Sequence, residues 1–203
     1  MNQLIPDNAQ GKQTSLKHKV IADSPESAFR IFETARERLL KPNDWYSLCG
    51  NTGAGFEVVE SAHSNNMLDR AVRHGDYIRI DIPGPGPRAG DGYDWVRVAM
   101  IETPRINSHY YNEVGIKLVA CSSPRNPDSE SAHFFSLGAS STLIIQQQSI
   151  HVTAMYYGRN ETINNHTKVL ADNIRNTVMA IGAMVGLSEL HWERLIRSFL
   201  STP

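Results

Sequence analysis

The chain has 203 residues, of which 40% are hydrophobic, and its 20 Lys and Arg residues against 21 Asp and Glu residues give a net charge of −1. This composition predicts a globular protein with a hydrophobic core, and the lack of a basic excess argues against binding to nucleic acid. No apolar stretch has the length of a membrane span, and residues 1–11 lack the pattern of a secretory signal, so we expect a soluble, cytoplasmic protein.

The N-terminal residues are polar and show neither a helical nor a strand period. We therefore expect a flexible tail over 1–15, followed by a single domain over 16–203. The first regular element is a short strand at about 16–21, where apolar and polar residues alternate.

A helix is predicted after this strand. Asp23 or Ser24 can cap it, and Pro25 suits its first position, where a backbone N–H would have no partner within the helix. Apolar residues then recur at three- and four-residue spacing, which predicts an amphipathic helix that ends before Pro42. Its apolar face would hold Ala28, Phe29, Phe32, Ala35 and Leu39.

From 50 to 157 the chain consists of short alternating segments separated by clusters of Gly, Pro, Asn and Ser, a pattern that predicts strands and no helix. Gly138 is expected to mark a bend or bulge in the longest segment, and a short turn at 148–149 joins the last two strands. The predicted strands are 56–60, 77–82, 95–101, 114–120, 133–148, which is either one bent strand or two, and 150–157.

The C-terminal part is helical again. An apolar stripe from about Thr167 to Val185 predicts a long helix that is buried on more than one side near its end, and Gly186 is expected to terminate it. Ser188 can cap a last helix, whose apolar face would hold Trp192, Leu195, Ile196 and Phe199.

The order of a strand, a helix, about six strands and a long helix resembles the START-like or Bet v 1-like (SRPBCC) superfamily. The segment 20–29, VIADSPESAF, is similar to that family's first strand running into a capped helix, and Asp44-Trp45-Tyr46 is similar to the aromatic segment that ends its helical section. The resemblance implies an α+β fold of the helix-grip type. In this fold a curved antiparallel sheet of about six to seven strands wraps around a long C-terminal helix and encloses a cavity.

The same two layers follow from the amphipathic pattern of the chain without the resemblance. An antiparallel meander with one apolar face must cover that face, and the long apolar elements that can do so are the helices at 24–40 and 167–200. The curvature of the sheet and the internal cavity are implied by the resemblance alone.

The densest cluster of polar and aromatic residues begins at Tyr156 and runs to Asn165. One hypothesis makes it the mouth of a cavity, where Arg159 pairs with an anionic ligand group and Tyr156 or Tyr157 lines the wall. The alternative is a structured turn, in which Arg159 pairs with Glu161 and the asparagines satisfy loose backbone groups before the helix.

Five other residues are candidates for binding a ligand. Trp95 begins a strand, where it either covers the mouth of the cavity or packs in the ordinary way. His133 and His151 lie on adjoining strands and either share a face or point to solvent. Ile174 and Val178 belong to the apolar stripe of the terminal helix, which would form one wall of the cavity.

Several kinds of site are argued against by the spacing of residues. Cys49 and Cys121 stand alone, and none of the eight histidines has HExxH or HxH spacing, so we expect no disulfide, metal or other cofactor. The Gly-rich stretches at 50–55 and 84–86 lack the Lys-Ser/Thr of a phosphate loop. No motif of a catalytic nucleophile is present, and no catalytic residue is assigned.

The leading hypothesis is a protein that binds a hydrophobic or lipid-like small molecule between the sheet and the C-terminal helix. A second hypothesis is an enzyme of the cyclase or hydrolase type found among START-like relatives, with His133, His151, Tyr156 or Arg159 in the cavity. A third is a homo-oligomer, such as a homodimer, that associates through the last helix at 190–200.

Overall fold

The computed structural model describes residues 4–59, 67–82, 92–103, 110–124, 138–162 and 189–201. Within these residues, seven strands and three α-helices are defined, and a 3-10 turn, Pro42–Asp44, precedes the second helix. The elements are β1 (Lys12–Ile21), α1 (Pro25–Leu39), α2 (Trp45–Leu48), β2 (Gly55–Val59), β3 (Tyr77–Asp81), β4 (Asp94–Glu102), β5 (Tyr111–Ala120), β6 (Ser140–Gln148), β7 (His151–Glu161) and α3 (residues 189–199).

The strands form one antiparallel sheet in the order β1-β7-β6-β5-β4-β3-β2. Strands β2 to β7 follow one another as a meander, and β1 closes the sheet by pairing with β7. Helices α1 and α2 connect β1 to β2, and α3 packs on the concave face. The predicted α+β class, with an antiparallel sheet of seven strands and a C-terminal helix packed on it, is therefore confirmed.

Helix α1 begins and ends where its sequence predicts. The Ser24 hydroxyl accepts the Ser27 N–H at 3.1 Å, Pro25 takes the first position, and the helix ends at Leu39. Its apolar face packs against β6 and β7. The buried residues of this face are Ala28, Phe32, Ala35 and Leu39.

The sheet is strongly curved. The Trp192 ring of α3 lies 6.1 Å from the Phe56 ring on β2 and 4.6 Å from the Tyr156 ring on β7, centroid to centroid. Five strand spacings of about 4.8 Å would separate β2 from β7 by roughly 24 Å in a flat sheet. One indole can reach both strands only because the sheet wraps around α3.

Helix α3 matches the last predicted helix, and its apolar residues face the core. Leu195, Ile196 and Phe199 are buried, whereas Leu190 is 62% exposed. The apolar face of α3 is thus covered within the chain. The predicted stripe from 167 to 185, including Ile174 and Val178, and its terminator Gly186 lie outside the described residues.

The carbonyls at the end of α3 are capped by a side chain from α1. Arg38 Nη1 donates to the carbonyl oxygens of Ser198 and Phe199 at 3.0 Å and of Ser201 at 2.6 Å. A cation near a helix C-terminus also interacts favourably with the helix dipole. Arg38 therefore ties the first helix to the last one.

The N-terminal segment differs from the predicted flexible tail. Strand β1 begins at Lys12, and Leu4 is fully buried on the outer face of the sheet. There Thr142 Oγ1 donates to the Leu4 carbonyl at 3.1 Å, and Gly115 leaves the space for the Leu4 side chain, since an added Cβ would lie 2.5 Å from Leu4 Cδ1. The polar composition is explained by hydrogen bonds to the end of β7, which are described below.

The predicted strands correspond to β2–β7, with two differences. Strand β6 begins at Ser140, just after Gly138 with its φ of +97°, and the earlier part of the predicted strand, including His133, lies outside the described residues. Strand β7 continues beyond 157 to Glu161. Of the two alternatives for 156–165, the structured turn is therefore wrong up to Glu161, because these residues belong to β7, in which Gly158 and Glu161 pair with β1.

Candidate functional site

The concave face of the sheet is apolar in its middle and carries buried polar groups at both ends. At one end the Asn112 amide donates to Gln147 Oε1 at 2.7 Å, and the other end is the candidate site. Along β7, Val152, Ala154 and Tyr156 face the core, and at the end of this row the buried Glu161 carboxylate comes next to the Tyr156 phenol. Thr14 of β1 and Ser141 of β6 flank this pair. We call these four residues the polar cluster.

Hydrogen bonds connect the polar cluster throughout. The Thr14 hydroxyl donates to Glu161 Oε2 at 3.0 Å, and the Tyr156 hydroxyl donates to Glu161 Oε1 at 3.2 Å. The Ser141 hydroxyl lies 3.2 Å from the Tyr156 hydroxyl and donates to it, since Tyr156 gives its one hydrogen to Glu161. The carboxylate and the phenol are therefore fixed relative to each other by groups from three adjacent strands.

A β-bulge aims Glu161 into the core. Gly158 pairs with Thr14, but Glu161 pairs with Lys12, so β7 contains one residue more than β1 in this interval. Asn160, within the bulge, has a φ of +56°. Strict alternation would place Glu161 on the outer face with the other odd-numbered residues of β7, and the extra residue turns it inward.

Gly158 provides the space that the Glu161 side chain fills. A Cβ added to Gly158 would lie 2.7 Å from Glu161 Cδ and 3.0 Å from the Tyr156 hydroxyl oxygen. Glycine inside a strand is otherwise unfavourable, and it occurs where another group approaches the backbone closely. The glycine, the bulge and the carboxylate thus form one local arrangement.

Burial shifts the pKa values of both ionisable groups in the polar cluster. Burial raises the pKa of Glu161, and Glu189 adds to the rise, whereas the hydroxyls of Thr14 and Tyr156 and the charge of Lys12 act in the opposite direction. Burial and the neighbouring Glu161 carboxylate raise the pKa of Tyr156 well above its ordinary value. Glu161 is therefore a carboxyl that exchanges its proton at higher pH than an exposed glutamate does.

A small pocket adjoins the polar cluster. Its volume is about 10 Å³, which is room for a single water molecule. The walls come from β4 to β7 and combine four apolar side chains with two serines and the Glu161 carboxyl, which is the charged group. The lining residues are Val96, Leu118, Ala120, Ala139, Ser140, Ser141 and Glu161.

Aromatic rings cover the other side of Tyr156. The Trp192 ring stacks on the Tyr156 ring at an interplanar angle of 14°, and the His191 ring stacks on Phe56 with centroids 5.6 Å apart. Burial, together with the charge of Arg194, lowers the pKa of His191 to about 4. His191 is therefore neutral at pH 7 and belongs to the aromatic packing.

Among the residues predicted from sequence, the structure places Tyr156 in the polar cluster and Arg159 outside it. Arg159 Nη1 donates to the carbonyl oxygens of Thr14 at 2.8 Å and Gly158 at 2.7 Å, and its Nη2 to Ser15 Oγ at 3.2 Å. Arg159 therefore neither pairs with Glu161 nor points into the pocket.

The other predicted residues lie away from the polar cluster or outside the described part. Trp95 packs with Val59 on the convex face, and His151 begins β7 opposite Ile21 with its side chain on the outer side. His133, Ile174 and Val178 are not among the described residues.

Glu161, Thr14 and Ser141 were missed by the sequence reasoning. Regular alternation along β7 predicts that the Glu161 side chain points outward, and only the extra residue of the bulge turns it inward. Two signals pointed to an irregularity: a glycine at 158 within a β-pattern, and an asparagine at 160, a residue type that tolerates positive φ.

Neither a metal-binding cluster nor a membrane-spanning helix is found in the part of the chain that the structure describes. No group of three or more His, Cys, Asp and Glu side chains there is arranged to hold a metal ion. None of the helices defined in that part has the length and apolar character needed to cross a membrane.

Solved structures with a similar fold include the Zhui aromatase/cyclase from Streptomyces sp. R1128, at 7% identity over 93% of this chain and 92% of that chain, with a TM-score of 0.47. Others are norcoclaurine synthase from Thalictrum flavum, at 12% identity, 90% and 96% coverage and a TM-score of 0.37, and major latex-like protein 151 from Panax ginseng, at 10% identity, 89% and 99% coverage and a TM-score of 0.36. These are Bet v 1-like proteins. Neither a family model nor a curated protein matches the chain.

Proposed function

We propose that this protein binds a hydrophobic or lipid-like small molecule on the concave face of its sheet, with the polar end of the ligand at Glu161. The observation that carries the proposal is the Glu161–Tyr156 pair, buried beside a pocket whose apolar walls are formed by Val96, Leu118, Ala120 and Ala139. Ligand sites combine apolar walls with a few placed polar groups that fix orientation. A carboxyl buried in such surroundings loses hydration, and this makes it a candidate for contact with a ligand.

The chemistry of the polar cluster favours a neutral ligand that accepts a hydrogen bond. Because burial raises the pKa of Glu161, its carboxyl can be protonated more readily than usual and then donate to a ketone, ester or hydroxyl oxygen. An anionic ligand would be repelled by the carboxylate form. Ligands of ordinary size need roughly 300 Å³ or more, so the proposed ligand extends beyond the pocket that the described residues enclose.

A pair of fluorescent probes tests this proposal. Prodan is a neutral naphthyl ketone, and 2-dimethylaminonaphthalene has the same ring system without the ketone. We expect the protein to bind prodan about tenfold more tightly than the ketone-free probe, the ratio that one hydrogen bond to a buried group supplies. Equal affinity for the two probes, or no binding of either, would contradict the proposal.

Variants of Glu161 connect the preference to the site. Glu161→Leu should abolish the ketone preference, whereas Glu161→Gln keeps an N–H donor and should retain it without dependence on pH. Glu193→Leu, at a partly exposed position on α3, is the matched control and should bind both probes as the wild type does.

An enzyme of the cyclase type is the second candidate, favoured by one specific observation. Tyr156 and Glu161 are two ionisable side chains at hydrogen-bond distance, and both have raised pKa values, an arrangement that general acid–base chemistry uses. In the simplest step, the Glu161 carboxylate removes a proton from the carbon next to a bound ketone, while the Tyr156 hydroxyl donates a hydrogen bond to the ketone oxygen.

Exchange of prodan hydrogens in D2O distinguishes the two candidates. An enzyme would speed the replacement of the hydrogens next to the ketone by deuterium above the rate in buffer, and Glu161→Gln would lose this activity. Binding of prodan with exchange at the buffer rate would rule out this chemistry on the probe and leave the binding function in place.

A further inference from the structure

The segment before β1 is bonded to the bulge that aims Glu161. The backbone N–H groups of Ala9 and Gln10 donate to Asn160 Oδ1 at 2.8 and 3.2 Å. In the other direction, the Asn160 N–H donates to Asn8 Oδ1 at 2.8 Å. Residues 7–11, which we call the strap, therefore satisfy both the side chain and the backbone of Asn160.

The strap also packs on Glu161 directly. Gly11 has a φ of +69°, and a Cβ added there would lie 2.8 Å from both the carbonyl carbon and the carbonyl oxygen of Glu161. The close approach requires glycine for its conformation and for its lack of a side chain. The start of the described chain is anchored separately, where Leu4 is buried on the outer face of the sheet.

The left-handed conformation of Asn160 is the part of the bulge that costs free energy. A non-glycine residue with positive φ is uncommon, although Asn adopts this conformation more readily than most. Without the strap, the end of β7 would lower its free energy by returning to regular alternation, which turns the Glu161 side chain outward into water. The hydrogen bonds from the strap favour the irregular conformation of Asn160 and so oppose that return.

We propose that the strap and Asn160 are positioning elements, which hold the Glu161 carboxyl in the concave site through the bulge. Asn160 does not lie in the pocket lining, and its side chain bonds to the outer strap. The inference rests on the proposed function only where it assumes that Glu161 contacts a ligand. Its structural part concerns the direction of one side chain, which is measured without any ligand.

Three variants test the strap by two readouts. The readouts are the pKa of Glu161, from an NMR titration of its carboxyl carbon, and the affinity for prodan. Asn160→Gly permits positive φ but removes the bonds to Ala9 and Gln10, and we expect the Glu161 pKa to fall toward that of an exposed glutamate and prodan to bind about tenfold more weakly. Asn160→Asp keeps the acceptor oxygen and should rescue both readouts.

Asn8→Ala is the test variant to use if Asn160→Gly does not fold. It removes one exposed acceptor of the Asn160 N–H, and a lowered Glu161 pKa is again the expected result. An unchanged Glu161 pKa in the folded variant would overturn the inference. If the Glu161 pKa changes as expected but the wild type does not bind prodan, the positioning role of the strap is supported and the proposed function fails. If the wild type binds prodan through Glu161 but the variants leave the Glu161 pKa unchanged, the proposed function is supported and the positioning role fails.

Discussion

The hydroxyl of Tyr156 lies 3.2 Å from the carboxylate of Glu161, although strict strand alternation would place these two side chains on opposite faces of the sheet. The bulge between Gly158 and Glu161 brings them together inside the core. A hydrophobic core gains nothing from a carboxylate, because burying a charge costs free energy unless it is paired and hydrogen-bonded. The hydrogen bonds from Thr14 and Tyr156 offset part of this cost, and the cost that is left is the reason for the binding role proposed above.

Removing the Tyr156 hydroxyl should change the titration of Glu161. In Tyr156→Phe the carboxylate loses a donor that holds its pKa down, so we expect that pKa to rise further, with a loss of about 1–2 kcal/mol in the free energy of unfolding. Carbon-detected NMR titration and urea unfolding measure the two effects. Tyr157→Phe, on the outer face, is the matched control and should change neither, and an unmoved Glu161 pKa in Tyr156→Phe would contradict the hydrogen bond.

Adding a methyl group at Gly158 should disrupt the site. The new Cβ of Gly158→Ala would overlap the Glu161 carboxyl, and we expect a destabilisation of about 1–3 kcal/mol. Combining it with Glu161→Ala should recover part of this loss, because the overlap disappears. Gly55→Ala on β2 is the control, since its Cβ would find an ordinary contact at 3.7 Å from Asp81 Cβ. Strict additivity of the Gly158 and Glu161 variants in urea unfolding would show that the two residues do not share this space.

The stability of the fold should depend on pH through Glu161. Folding raises the pKa of this carboxyl above its ordinary value of 4.5, so the folded state holds the proton more tightly than the unfolded chain does. The stability that results is fully present below pH 4.5 and is lost as the pH rises through the folded pKa. Glu161→Gln should therefore gain in melting temperature relative to the wild type as the pH increases from 4.5. A constant difference across the pH range would contradict the raised pKa.

His191 should produce the opposite dependence. Folding lowers its pKa from 6.5 to about 4, so the imidazole contributes stability that is present above pH 6.5 and is lost as the pH falls toward 4. Replacing His191 by Phe, which keeps a ring against Phe56, should remove this acid loss. Melting temperatures of wild type and variant between pH 7 and 4 measure it, with the exposed His74→Gln as control. Parallel curves for His191→Phe and wild type would refute the burial of a neutral imidazole.

The sequence predicts the regular parts of the fold because they follow local rules. The Ser24–Pro25 start of α1 is a capping pattern, and the inward row Val152, Ala154 and Tyr156 is plain alternation. The packing of Trp192 in the last helix follows from helical spacing. The curvature that lets one ring contact β2 and β7 was implied by the family resemblance and by nothing in the local pattern.

The candidate site escapes such rules because it depends on one irregular residue. An extra residue at the end of β7 reverses the face of Glu161, and no periodicity shows where the pairing strand shifts its register. The order of the N-terminal segment is hidden for a related reason, since its polar residues find their partners about 150 positions later, at Asn160. Contacts of this kind are visible only once the sheet has brought β1 beside β7.

The most direct test of the proposed site is the location of bound prodan. In an isotope-filtered NMR spectrum of the complex, we expect contacts from the ketone end of prodan to Ala120, Ala139 and Tyr156, together with a shift of the Glu161 carboxyl carbon. Leu4 and Trp95, on the convex side, should show none. Contacts confined to the convex side, or a saturating complex in which the Glu161 signal does not move, would contradict a ligand site on the concave face.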